Sequence, residues 1–123
     1  MNLIAAHARA LNSLLFIKDT RTNDFPMIDG QGSVWTTASC VAVSCMPDCD
    51  GPTEVVIGNP SDIKNAAGKL IFDAFLDTPN KCVSVETVLA EKILEKNVPN
   101  ATTHVRIWTD GFRDTSKVMI SLE

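Results

Sequence analysis

The chain has 123 residues, 45% hydrophobic and 21% charged, with a net charge of −4. That suits one domain, expected to span residues 1–123, with enough core to need neither disulfide nor metal. Its basic residues stand singly, so direct nucleic-acid binding is not expected. Its acidic residues form no long run of the kind a dense carboxylate mimic of DNA would carry. No stretch approaches the ~18 apolar residues of a membrane span. Met1-Asn2-Leu3-Ile4 lacks the basic start of a signal peptide, so a cytoplasmic location is the expectation.

Residues 3–18 read two ways. Ala-rich Leu3–Leu11 favours helix, whereas Leu14-Leu15-Phe16-Ile17 favours strand. Asp19–Gly32 is a loop holding Asp24, Pro26, Asp29, Gly30 and Gly32, and it is long for a connection in a small domain. Val34–Cys45 has no Gly, Pro or charge and reads as one long strand, with Trp35, Val41 and Val43 sharing a face. The turn Met46–Pro52 and the strand Glu54–Ile57 complete a predicted hairpin. Ser61–Gly68 is a polar connector with room for one helical turn. Leu70, Phe72, Ala74 and Leu76 alternate onto one face of a strand, and Lys81–Val88 reads as its hairpin partner. Residues 87–97 combine strong helix propensity with the competing pattern of a bent edge strand. Thr102–Thr109 and Ser116–Leu122 close the chain as strands around an Asp110–Asp114 loop. Seven to eight strands, at most one short helix and no βαβ alternation predict an all-β fold, an antiparallel two-sheet β-sandwich.

Chemical motifs are sparse. Cys40, Cys45, Cys49 and Cys82 lack the close C-x₂-C pairs usual for zinc, and reduced thiols are the expectation. A small-ligand or metal-binding role for the Cys40/Cys45/Cys49 region is the alternative function. Asp48-x-Asp50-Gly51 resembles the start of a calcium loop, but Gly51 comes too early and Asn59 stands where the closing Glu is needed. No G-x-S-x-G, G-x-G-x-x-G or P-loop pattern occurs. Asp24 and Asp29 as an acid/base pair is weighed against ordinary solvated carboxylates. No catalytic residue, resident metal or cofactor is assigned, and the chain is not expected to be an enzyme. On the last hairpin, His104, Arg106 and Trp108 share one side of a strand, opposite Val105 and Ile107.

Several segments in order carry a resemblance: Leu15–Asp19, Asp24–Asp29, Cys40–Ser44, Thr53–Ile57, Lys69–Phe75, Val83–Thr87, and Pro99 leading to Thr103–Thr109. This order resembles the competence protein ComJ family, small bacterial proteins whose founding member inhibits a DNA-entry nuclease. The cysteine-bearing turn at 45–50 departs from the family pattern. The resemblance implies strand, not helix, over 3–18 and much of 87–96. It implies a non-catalytic protein-binding module of the nuclease-inhibitor kind, with another protein as partner. The expected partner surface is the 19–32 loop, the 46–52 turn and the 110–114 loop. Phe25, Arg106 and Trp108 are its expected anchors, because aromatics and Arg dominate interface energies. Asp24, Asp29, Asp48 and Asp50 would complement a basic nuclease. Exposed sheet edges add a homodimer as an expectation.

Overall fold

Ten strands build two five-stranded sheets in the computed structural model, which describes residues 3–63, 68–111 and 115–123, without the side chains of Leu11 and Asp48. In chain order they are β1 (Ile4–Ala8), β2 (Leu14–Asp19), β3 (Val34–Thr36), β4 (Cys40–Ser44), β5 (Thr53–Gly58), β6 (Lys69–Asp77), β7 (Cys82–Glu86), β8 (Lys92–Asn97), β9 (Thr102–Thr109) and β10 (Lys117–Leu122), with one short helix, α1 (Pro60–Ile63), after β5. Sheet A has the order β1-β5-β10-β9-β6 and sheet B the order β3-β4-β2-β7-β8. All pairings are antiparallel except β5 with β10. The predicted all-β sandwich is therefore the fold, with more and shorter strands than the seven to eight expected. No helix among the described residues is long and apolar enough to cross a membrane.

The core forms where alternate residues of both sheets meet. Leu15 and Ile17 of β2, Val41 and Val43 of β4, and Val83 and Val85 of β7 face Val55 and Ile57, Val105 and Ile107, and Val118 and Ile120 of sheet A, all fully buried. Period-two burial of β-branched side chains is the main stabilising term of such a fold.

Residues 3–18 are two strands, as the family resemblance implies. A 3₁₀ turn at Leu11–Ser13, with Asn12 and Ser13 both at φ 58°, sends β1 into sheet A and β2 into sheet B. Residues 87–97 resolve against local helix propensity. Thr87 closes a turn with Glu91 and Ala90 takes φ 61°; β8 then pairs with β7, and Leu94 packs on the core. Cross-strand pairing and burial outweigh the few tenths of a kcal/mol per residue that propensity offers.

Three expectations need correction. The long strand at 34–45 is a tight hairpin: the chain turns at Thr37–Ser39, where the Thr37 N–H donates to the Cys40 carbonyl at 2.8 Å, and β3 pairs with β4. The turn switches the alternation, so Trp35 stands opposite Ala42 on the outer face while Val41 and Val43 enter the core. The expected hairpins β4–β5 and β6–β7 do not form, because the members of each pair lie in different sheets. Periodicity reports which face is buried and is silent on partner choice. Finally, Leu70 does not share a face with Phe72. A bulge between them turns both Ile71 and Phe72 toward the core and leaves Leu70 outside, opposite Trp108. The predicted β9–β10 hairpin is present, although residues 112–114 of its loop lie outside the described residues, as do 64–67 of the 61–68 connector.

Candidate functional site

The 19–33 loop lies across the outer face of sheet B and is fastened to it. Phe16, Cys40 and Ala42 form a second apolar cluster there, joined by Trp35 and Val88. The Phe25 ring meets Phe16 edge-on with centroids 5.1 Å apart, a geometry favoured by the ring quadrupoles. Beneath it the ammonium of Lys18 sits 5.7 Å from the Phe25 centroid. Lys18 is almost fully buried and pairs with Glu86 at 3.2 Å, while Ser84 donates to the same carboxylate at 2.7 Å. Lys18 also donates to the carbonyls of Asp19, Thr20 and Thr22. One buried cation thus gathers the first turn of the loop onto the sheet. Asp19, also buried, accepts from the backbone N–H and the side-chain amide of Asn80, tying the loop to the β6–β7 turn.

Farther along, the loop is pinned on either side of a protruding apolar tip. The Asp24 carbonyl accepts from Thr37 Oγ1 at 2.8 Å, and Asp29 Oδ1 accepts from Trp35 Nε1 at 2.8 Å and from the Gln31 N–H at 2.9 Å. Between these anchors Pro26 is buried and Met27 is 89% exposed, the most exposed large hydrophobic among the described residues. Behind the tip a hollow of about 330 Å³ opens between Leu14, Ile28, Trp35 and Pro47, with Asn12, Ser13 and Ser44 completing it and no charged residue in its lining. Pro47 belongs to the 46–52 turn, which winds into a 3₁₀ turn at Asp48–Asp50 and holds the Asp50 N–H on the Pro47 carbonyl at 2.9 Å. The hollow therefore brings Ile28 of the 19–32 loop and Pro47 of the 46–52 turn together, with Asp29 bonded to its Trp35 wall. The Asp48 side chain lies outside the described residues.

Arg106 and Trp108 are elsewhere. Their neighbours Val105 and Ile107 fill the core, so Arg106, Trp108 and His104 lie on the outer face of sheet A, across the sandwich from Phe25. There His104 bonds to Asp73 through Nε2 and faces Glu123 at 3.6 Å through Nδ1, while Arg106 Nε lies 3.5 Å from Asp73. The hydrogen bond from His104, helped by the Arg106 charge, holds the Asp73 carboxyl below its usual range despite its partial desolvation. Phe75, 69% exposed, stacks on His104 at 4.8 Å. The seven expected contact residues thus do not form one surface. Asp24, Phe25, Asp29 and Asp50 belong to the loop and turn beside sheet B, whereas Arg106 and Trp108 stand on the outer face of sheet A, where Arg106 pairs with Asp73.

Met27, Ile28, Trp35 and Pro47 were not singled out by sequence reasoning. A charge count would have pointed to the region. From residue 22 to residue 63 there are six acidic residues (Asp24, Asp29, Asp48, Asp50, Glu54 and Asp62) and no Lys, Arg or His.

The cysteines do not converge. Cys40 lies in the outer cluster of sheet B, Cys45 in the main core, and Cys49 is exposed on the turn. Burial pushes the Cys40 thiol up to about 12 and the Cys45 thiol up to about 11, so neither supplies a thiolate near neutral pH. Among the described residues no three His, Cys, Asp or Glu side chains are placed to hold a metal ion. A larger recess of about 750 Å³ lies where the edges of β3 and β6 approach, lined largely by Gly32–Val34, Gly68–Ile71 and Thr109–Gly111. Two of its lining residues, Gly68 and Gly111, adjoin stretches outside the described residues.

The architecture defines the class: an all-β, two-sheet sandwich with a long loop locked over one face. No family model matches the sequence, and no curated protein matches it. Among solved structures the chain is similar to the crystal structure of ComJ from Bacillus subtilis, an inhibitor of the DNA degrading activity of NucA. The similarity has a TM-score of 0.70 and spans 97% of this chain and 93% of that one, at 9% sequence identity. The chain shares the ComJ fold; at that identity the likeness is one of fold.

Proposed function

We propose that the chain is a non-catalytic protein-binding module that restrains a DNA-degrading enzyme. The observation that carries this reading is the end-to-end likeness to ComJ, whose whole length is nearly matched. The pinned loop supports it, because a contact element already held in one conformation loses little entropy on binding. So does the cation-free stretch from 22 to 63, since an enzyme that grips DNA must present a basic surface. In this reading the partner contacts are Asp24, Phe25, Asp29 and Asp50, with Asp48 on the same turn, and the protein acts in the compartment of its nuclease, the cytoplasm.

The test is a DNase titration. Purified chain is added to NucA and, in parallel, to lysate of the cells that make the chain, with plasmid DNA as substrate. The expected result is loss of DNase activity that saturates at a fixed molar ratio. Full activity of both preparations at large molar excess of the chain would reject the reading.

A further inference from the structure

An uncharged, largely apolar hollow flanked by carboxylates is a poor seat for a phosphate. It is a good seat for a side chain that is apolar along its stem and cationic at its tip. Leu14, Ile28 and Pro47 supply the apolar wall and Trp35 an aromatic face. Asp29, hydrogen-bonded to the indole edge, sets a carboxylate beside that face, and Asp50 flanks Pro47 from the turn. From these features we infer that the hollow receives an arginine or lysine side chain from the rim of the partner's DNA-binding cleft. The inference rests on the reading of the chain as a nuclease inhibitor and names how that inhibition works.

Three physical points favour this occupant. Long basic side chains pack their methylenes on apolar surface while keeping the charge at the rim, and a cation over an indole gains further attraction. A cleft that binds DNA is concave and lined by Lys and Arg; the Met27 tip beside the hollow is convex, exposed and pinned on both sides. The surrounding sequence from 22 to 63 contributes no cation to repel such a cleft. The carboxylates are too few to imitate a row of phosphates. They select a basic rim, and the tip then fills the space DNA would take. The inhibition therefore competes with DNA.

The experiment measures initial rates of NucA and of the nuclease in lysate of the source cells, with a fluorescent duplex oligonucleotide as substrate, over a range of DNA, NaCl and inhibitor concentrations. Wild-type chain is expected to raise the KM for DNA and leave kcat unchanged, and to lose potency as NaCl rises. Ile28→Lys places a resident cation at the hollow and is expected to weaken inhibition at least tenfold, about 1.4 kcal/mol or more. Asp50→Lys, on an exposed turn, is expected to weaken it as well and serves if Ile28→Lys does not fold by circular dichroism. Arg106→Glu, on the opposite sheet, is expected to inhibit like wild type. Wild-type inhibition that lowers kcat at constant KM would overturn the cleft assignment. Folded lysine variants that inhibit as wild type would overturn the hollow while leaving the inhibitor reading intact. If wild type inhibits neither nuclease, the reading itself falls and the hollow assignment falls with it.

Discussion

Asp110 shows how much a single side chain organises at the β9–β10 connection. Some loss of hydration opposes its ionisation, yet donors converge on it: the Thr115 hydroxyl, the Ser116 hydroxyl at 2.7 Å, and the backbone N–H groups of Ser116 at 2.8 Å and Lys117 at 3.2 Å. Together they hold the carboxyl down to about 2. A carboxyl whose folded-state value lies below its unfolded value near 3.9 contributes stability that is fully present above that value and is lost as pH falls through about 2. Asp110→Asn keeps the shape and removes the charge. Its stability deficit in urea unfolding is expected to be largest near neutral pH, on the order of 1 kcal/mol because the residue is solvent-exposed, and to shrink toward zero as pH falls from 5 to 2. A deficit constant over that range would show that charge plays no part.

At the same scale, two glycines, Gly58 at the end of β5 and Gly68 at the end of the polar connector, were readable only as breakers. Gly68 has φ +103°, and a Cβ there would come within 2.3 Å of the Thr109 carbonyl oxygen. A Cβ at Gly58 would come within 2.5 Å of a Leu3 methyl, and Ile63 lies close by. Nothing in the composition of 58–68 announces which backbone or side chain will pass nearby.

At the level of elements, the loop over sheet B depends on one buried ion pair. Lys18 and Glu86 are 4% and 10% exposed at their side chains, and such pairs are fragile in one specific way: removing a single partner strands the other charge. Lys18→Met leaves the Glu86 carboxylate with the Ser84 hydroxyl and releases three loop carbonyls. It is expected to cost about 3 kcal/mol in urea unfolding and to loosen the edge contact of Phe25 on Phe16. The double variant Lys18→Met/Glu86→Leu is expected to recover most of that loss. If the single and double variants are equally destabilised, the ion pair is not what secures the loop.

Elements are also where sequence and structure part company. Strand identity was legible through alternation in Val83/Val85, Val105/Ile107 and Val118/Ile120, because each pair faces one core. The outward side of His104, Arg106 and Trp108 followed from the same rule. Pairing was not legible. Met46–Pro52 carries every mark of a hairpin turn and yet passes the chain from sheet B to sheet A, since both outcomes ask for the same Pro, Asp and Gly residues. The bulge at Ile71 was equally hidden, because Leu70-Ile71-Phe72 is apolar throughout and any two of the three suit a core. Residues 88–96 favoured helix on propensity, and only the presence of an edge beside β7 decides otherwise. Of the candidate site, the loop was visible as long and acidic. The hollow was not, because Leu14, Ile28, Trp35 and Pro47 come from four separate segments.

Across the whole molecule, sheet A is assembled from remote parts of the sequence. β5 is held between β1 on one side and β10 on the other. Val118, Ile120 and Leu122 of β10 belong to the main core. A chain ending after Ser116 loses these side chains together with the strand between β5 and β9. It is expected to show no cooperative urea transition and no near-ultraviolet signal from its tryptophans; a cooperative transition in that truncated chain would show that sheet B stands alone.

The position of β5 also bears on how the protein is made. Half of its hydrogen-bonding partners are translated first and half after most of the chain, so during synthesis β5 leaves the ribosome with one edge unfilled and waits for some sixty residues. A domain closed by its last strand passes from unfolded to folded in one late step. Until β10 is made, sheet A keeps a gap between β5 and β9.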